Sequence, residues 1–157
     1  MKLGMGDLRW WRAALAFALL LAVGLDARGR AKELTLEELK ERVAGASVAD
    51  RPPLCIEIAE RQEEAAGKLY VAGDVDKAQA ALVDVAAFSE LARDYAIQSR
   101  KHEKQSEIAI RKMARKLSNL KHDFVREDQK QIQDTIDRLE KIRDDLLAAM
   151  FPNGVKK

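Results

Sequence analysis

The sequence predicts an all-α protein, and three observations carry that expectation. From Asp74 to Phe151 the chain holds neither glycine nor proline, the two residues that most readily interrupt a helix. Ala, Leu, Lys, Arg, Glu and Gln, all good helix formers, dominate that run. Apolar residues recur at intervals of three and four, most clearly at Ile110, Met113, Leu117, Leu120 and Phe124, which trace a heptad row.

The elements follow in order. Thr35 can cap a first helix, with Glu38 completing a capping box and Leu34 and Leu39 placed as a hydrophobic staple. Gly45 is expected to close it in a left-handed conformation. Arg51-Pro52-Pro53 opens a second helix, because proline is tolerated where the first-turn N–H has no partner. Cys55, Ile58, Ala59, Ala65, Ala66, Leu69 and Ala72 give it one apolar face, Gly73 ends it and Asp74 caps the next. Val75, Ala78, Leu82, Val85, Ala92 and Ala96 line the following face. The pattern falters over 122–128, where acids can start a new helix. Ile132, Ile136, Leu139, Ile142, Leu146 and Met150 then share one side, before Pro152-Asn153-Gly154 stops the chain's last helix.

Helices over 52–72, 74–122 and 128–150 would measure about 31, 73 and 34 Å at about 1.5 Å per residue. The two shorter ones together nearly match the long one. The expected architecture is therefore elongated: antiparallel hairpins sharing one continuous central helix. A compact up-and-down bundle is the alternative, with that helix broken near 98–107, but no glycine or proline stands there to break it. Separately, the apolar row turns polar between Ile97 and Ile108, at Ser99, Glu103 and Ser106.

Residues 1–24 read as a secretory signal peptide. Lys2, Arg9 and Arg12 precede an apolar run from Ala13 to Leu25, and Ala22-Val23-Gly24 supplies the small residues that a signal peptidase needs. As a helix that run reaches only about 20 Å, against a hydrocarbon core of about 30 Å. The expected compartment is periplasmic or extracellular. The domain plan is signal peptide 1–24, flexible spacer 25–34, helical domain 35–151 and a short tail 152–157. The 28 basic and 26 acidic residues of the whole chain become 25 of each without the leader, so no global attraction to nucleic acid is expected. Cys55, the single cysteine, is expected to be a buried apolar group, with an intermolecular disulfide as the other reading.

Residues 65–85 resemble the turn of a tetratricopeptide repeat, through Ala66, Leu69, Gly73, Asp74, Val75, Ala78, Leu82 and Val85. The resemblance implies one helical hairpin of that style. It ends there, because the second helix runs past the point where a repeat closes in proline and the sequence offers no second copy. Groove binding of peptides is not implied.

No enzymatic, metal or cofactor constellation emerges. His102 and His122 lack a glutamate three residues before them or a partner at i+4. The serines lack a glycine-rich elbow. Charge is the informative feature. Residues 55–94 hold nine acids and four bases, whereas 97–121 hold eight bases and two acids. Arg100, Lys101, Lys104, Arg111, Lys112, Arg115 and Lys116 share one sector of a helical wheel, opposite the apolar row. The sequence thus reads as an exported helical interaction or scaffolding protein whose basic strip docks something anionic: an acidic protein face, lipid headgroups or an envelope polymer. Aromatic residues do not interleave with the bases, which disfavours stacking onto single-stranded nucleic acid. A second copy is expected as a protein partner, on the heptad rows 110–124 and 132–150. The alternative function is a periplasmic chaperone or stress adaptor that cradles clients. Amino-terminal sequencing of the exported protein is expected to begin at Leu25, after Gly24, with cleavage after Ala27 (Leu25-Asp26-Ala27) as the fallback; a start at Met1 in a membrane fraction would make the segment an anchor.

Overall fold

The computed structural model describes residues 34–154. The expected signal peptide and all of the spacer but Leu34 lie outside the described residues. The described residues are helical and contain no strand, in five helices: α1 (Leu36–Gly45), α2 (Arg51–Val71), α3 (Val75–Ser99), α4 (Glu103–Lys121) and α5 (Arg126–Met150). All five belong to one compact unit that begins at Thr35.

The termini show why each helix starts and stops. At α1 the capping box is formed: Thr35 Oγ1 accepts from the Glu38 N–H at 3.2 Å and the Glu38 carboxylate accepts from the Thr35 N–H at 2.7 Å. Gly45 is the last helical residue, and the chain leaves through extended Ala46 at φ −77°, so no left-handed closure occurs there. Pro52 and Pro53 occupy the first turn of α2 as their chemistry dictates. Gly73, at φ 79°, closes α2 in the left-handed region; its N–H bonds the Tyr70 carbonyl and the Asp74 N–H bonds that of Leu69. That pairing is a Schellman motif. Asp74 precedes α3 but its carboxylate binds Lys77 at 2.6 Å instead of capping the backbone.

The expected continuous helix over 74–122 does not form. The chain reverses at Arg100-Lys101-His102, with Arg100 at φ 56° and His102 at φ 64°. The elongated arrangement is thereby corrected to the compact bundle. Two left-handed non-glycine residues cost roughly 1–2 kcal/mol each. Ser99 eases the reversal, donating to the Tyr95 carbonyl at 2.7 Å and accepting from the Lys101 N–H at 3.3 Å. What offsets the strain is burial: Ile110, Met113 and Leu117 of α4 enter the same core as Ala78, Leu82 and Val85 of α3. Each fully buried large aliphatic side chain is worth about 1.5–3 kcal/mol.

The bundle is two hairpins laid on each other. Helix α2 packs most extensively on α3, and α4 on α5. Glu63 of α2 meets Lys116 of α4, while a Cβ on Gly67 would sit 3.8 Å from Leu120, so α2 and α4 run in the same direction. Glu90 with Arg138, and Arg93 with Asp145, give α3 and α5 the same relation. Helices α3 and α4 meet only sparingly, across the short diagonal. Along the interior run small residues, Ala59, Ala66, Ala78, Ala96 and Ala114, which let the helices approach closely. Helix α1 lies against the first hairpin through Leu39 and Val43, with Lys40 over the Phe88 ring at 6.0 Å. Cys55 is fully buried, and burial pushes its thiol up to about 11, so it is a packing group with no access to a disulfide partner.

The reversal makes opposite predictions for one substitution. With Arg100 left-handed, Arg100→Gly is expected to raise the melting temperature by about 4 °C, corresponding to about 1 kcal/mol. Arg100→Ala, which removes the charge but keeps a Cβ, gives no such gain. A continuous helix would instead lose about 1 kcal/mol on introducing glycine, so a lowered midpoint in thermal circular dichroism overturns the turn.

Candidate functional site

The basic strip is the sequence's candidate surface, and the structure divides it. Arg100 and Lys101 sit in the α3–α4 turn, off the helix. Lys104, Arg111, Lys112, Arg115 and Lys116 lie on α4, whose opposite side is buried through Ile110, Met113, Ala114 and Leu117. Amphipathic spacing therefore does orient the bases outward.

Two of the seven are engaged within the molecule. Lys116 Nζ binds Glu63 at 3.2 Å, and Arg111 approaches Glu107 at 3.7 Å. Glu107 is buried and takes its stronger bond from Arg143 of α5, at 3.0 Å, while Arg143 also holds Glu140 at 2.9 Å. Lys116 and Arg143 thus hold α4 to its neighbours, whereas the Arg111 contact stays within α4. Arg100, Lys101, Lys104 and Arg115 are exposed and make no ion pair among the described residues; Lys112 is exposed and adds a longer-range attraction to Glu63. Near the middle of that face stands Ile108, 44% exposed.

Beside the strip, the N-terminal halves of α2 and α4 enclose a groove of about 330 Å³ lined by Pro53, Ile56, Glu57, Glu60, His102, Gln105 and Ser106. Its lining mixes acids with a histidine, but no group of three or more potential ligands among the described residues could hold a metal ion. No helix among the described residues is long and apolar enough to cross a membrane. Sequence reasoning missed Glu63 and Glu107 as partners of the strip. The Glu107–Arg111 spacing of four was a readable signal; the Glu63–Lys116 contact spans two helices and was not.

The two heptad rows expected to receive a second copy are not free. Ile110, Met113 and Leu117 are buried in one core with Ile132, Ile136, Leu139, Ile142 and Leu146. The reversal at 100–102 turns each row toward the interior, so any association must use other faces.

No protein-family model, no curated protein and no solved structure matches the chain.

The Glu63–Lys116 pair gives a pH-dependent prediction. Glu63 is only 5% exposed, and burial raises its carboxyl above the ordinary carboxylate range, although the Lys116 hydrogen bond pulls it back. A raised folded pKa means that Glu63 contributes most below its unfolded pKa, and that this contribution is lost as pH rises through the folded value. Lys116 is 57% exposed, so water can solvate it once Glu63 is gone. Lys116→Gln instead strands a buried carboxylate and is expected to cost about 1–3 kcal/mol at pH 7. Glu63→Gln is expected to cost less. Thermal unfolding at pH 7 and pH 4 checks both: the gap between the variants closes at pH 4, where Glu63 is protonated, and a gap independent of pH refutes the assignment.

Proposed function

We propose that this protein is an exported helical interaction or scaffolding module that docks an anionic partner on the outer face of α4. One observation supports the reading above others: Arg100, Lys101, Lys104 and Arg115 project to solvent with no carboxylate of the described residues to neutralise them. Arg111–Arg115 and Lys112–Lys116 are like-charge pairs four residues apart on α4, and such pairs weaken a helix. Helix α5 meets the same solvent with mixed signs, among them Asp134, Asp137, Arg138, Lys141 and Asp144. A surface serving solubility alone has that second composition available to it. A partner of opposite charge offsets the repulsion on α4.

Export rests on residues 1–24 and is part of the proposal. A carboxylate-rich polymer, polyglutamate, is a suitable probe. The parent protein is expected to bind immobilised polyglutamate at low ionic strength and to be released as salt shortens the Debye length. The variant Lys101→Gln, Lys104→Gln, Arg115→Gln spares the cations that hold α4 in place and is expected to fold normally. It should bind about tenfold more weakly, as the loss of three exposed ion pairs implies. Equal retention of parent and variant rejects the docking face.

A further inference from the structure

The face of α3 turned away from the core is unlike that of α4. Ala80, Val83 and Leu91 are exposed there, Val83 by 50% and Leu91 by 37%, at the spacing of one helical face. Asp76 and Asp84 flank them; Asp76 has no partner among the described residues, and Asp84 accepts only a neutral amide hydrogen bond from Gln62, at 2.6 Å. This is an apolar ridge edged with uncompensated negative charge. The α4 face is its counterpart, with Ile108 among Lys104, Lys112 and Arg115.

We infer that the anionic partner of α4 is the α3 face of a second copy of this chain. The inference rests on the reading of α4 as a docking face and goes further by naming the occupant. The spacing agrees. Asp76 lies seven residues before Val83, and Arg115 lies seven after Ile108. Two antiparallel helices with Val83 on Ile108 therefore bring Asp76 opposite Arg115, each pair separated by two helical turns, about 10 Å. Within one molecule α3 and α4 share few contacts and both turn their apolar rows into the same core, so the exposed Val83 and Ile108 faces point away from it and do not cover each other. A second molecule can supply the missing face. The contact uses two different patches, is heterologous, and propagates head to tail unless the rotation closes a ring. Apolar contact at the centre with charges at the edge is the usual anatomy of such an interface.

The charge pair supplies the test. Sedimentation velocity of the purified full chain at tens of micromolar and low salt is expected to show concentration-dependent assembly that 0.5 M salt weakens. Arg115→Glu and Asp76→Arg are each expected to weaken assembly at least tenfold while retaining the parental circular dichroism. The charge-swapped double variant, carrying both substitutions, is expected to restore it, which a merely structural defect would not do. Val83→Lys serves as a second probe of the α3 face and is expected to leave polyglutamate binding intact. A parent that stays monomeric yet binds polyglutamate overturns the second copy as occupant and leaves the docking face standing, with a lipid or polymer as its partner. A parent that neither assembles nor binds the probe overturns both. Assembly unaffected by either single substitution overturns the α3–α4 contact.

Discussion

The reversal at Ser99–His102 governs the rest of this molecule. Without it α3 and α4 would continue as one rod, and the apolar rows of α2 and α5 would each cover a separate half. With it, α4 returns alongside α2 and the second hairpin lies on the first. Backbone preference opposes the turn, since Arg100 and His102 both enter the left-handed region without being glycine. The opposing terms are local and global. Ser99 satisfies a carbonyl and an N–H at the break, and the fold-back buries Ile110, Met113 and Leu117 among residues of the other helices. Hydrophobic burial of several large side chains outweighs two strained residues.

Once folded back, the bundle needs its register defined, because alanine-rich interfaces can slide. Polar contacts between helices serve here. Gln62–Asp84 ties α2 to α3, Lys116–Glu63 ties α2 to α4, Arg143–Glu107 ties α4 to α5, and Arg93–Asp145 ties α3 to α5. The buried acids Glu63 and Glu107 are the sharpest of these constraints. A carboxylate withdrawn from water is tolerable only opposite its cation, so a slipped register leaves a buried charge unpaired. Exposed pairs such as Lys68–Glu64 add little by comparison.

This division of labour separates structure from surface along α4. Arg111 lies beside Glu107 of its own helix, which Arg143 of α5 also holds, and Lys116 faces the flank where α2 supplies Glu63. Lys104 and Arg115 face outward with Ile108 and meet no acid among the described residues. Helix α3 shows the converse: Arg93 pairs with Asp145 and Asp94, and Glu90 with Arg138, whereas Asp76 and the Val83 ridge stay toward solvent. Unspent charge of opposite sign on opposite sides gives the molecule an electrostatic polarity that its near-neutral composition conceals.

Much was legible from residues alone. The capping box at Thr35, the proline start of α2, the glycine closure at Gly73 and the break after Lys121 are local signals, written within four or five residues and read without tertiary knowledge. The inward faces were equally plain, because helical periodicity dictates which side chains share a side. The break near residue 100 was visible only as a polar stretch, with no glycine or proline to mark it. Helix propensity favoured continuity there, and only the burial available to a folded-back α4 reversed that preference. Tertiary structure likewise decided which basic residues were free. Seven cations share a sector in the sequence, but whether each meets a carboxylate depends on helices up to 53 residues away, as Lys116 and Glu63 show. Local chemistry thus determined the helices and their faces, whereas the competition between strain and burial, which needs all helices present at once, decided the bundle and the surface it leaves exposed.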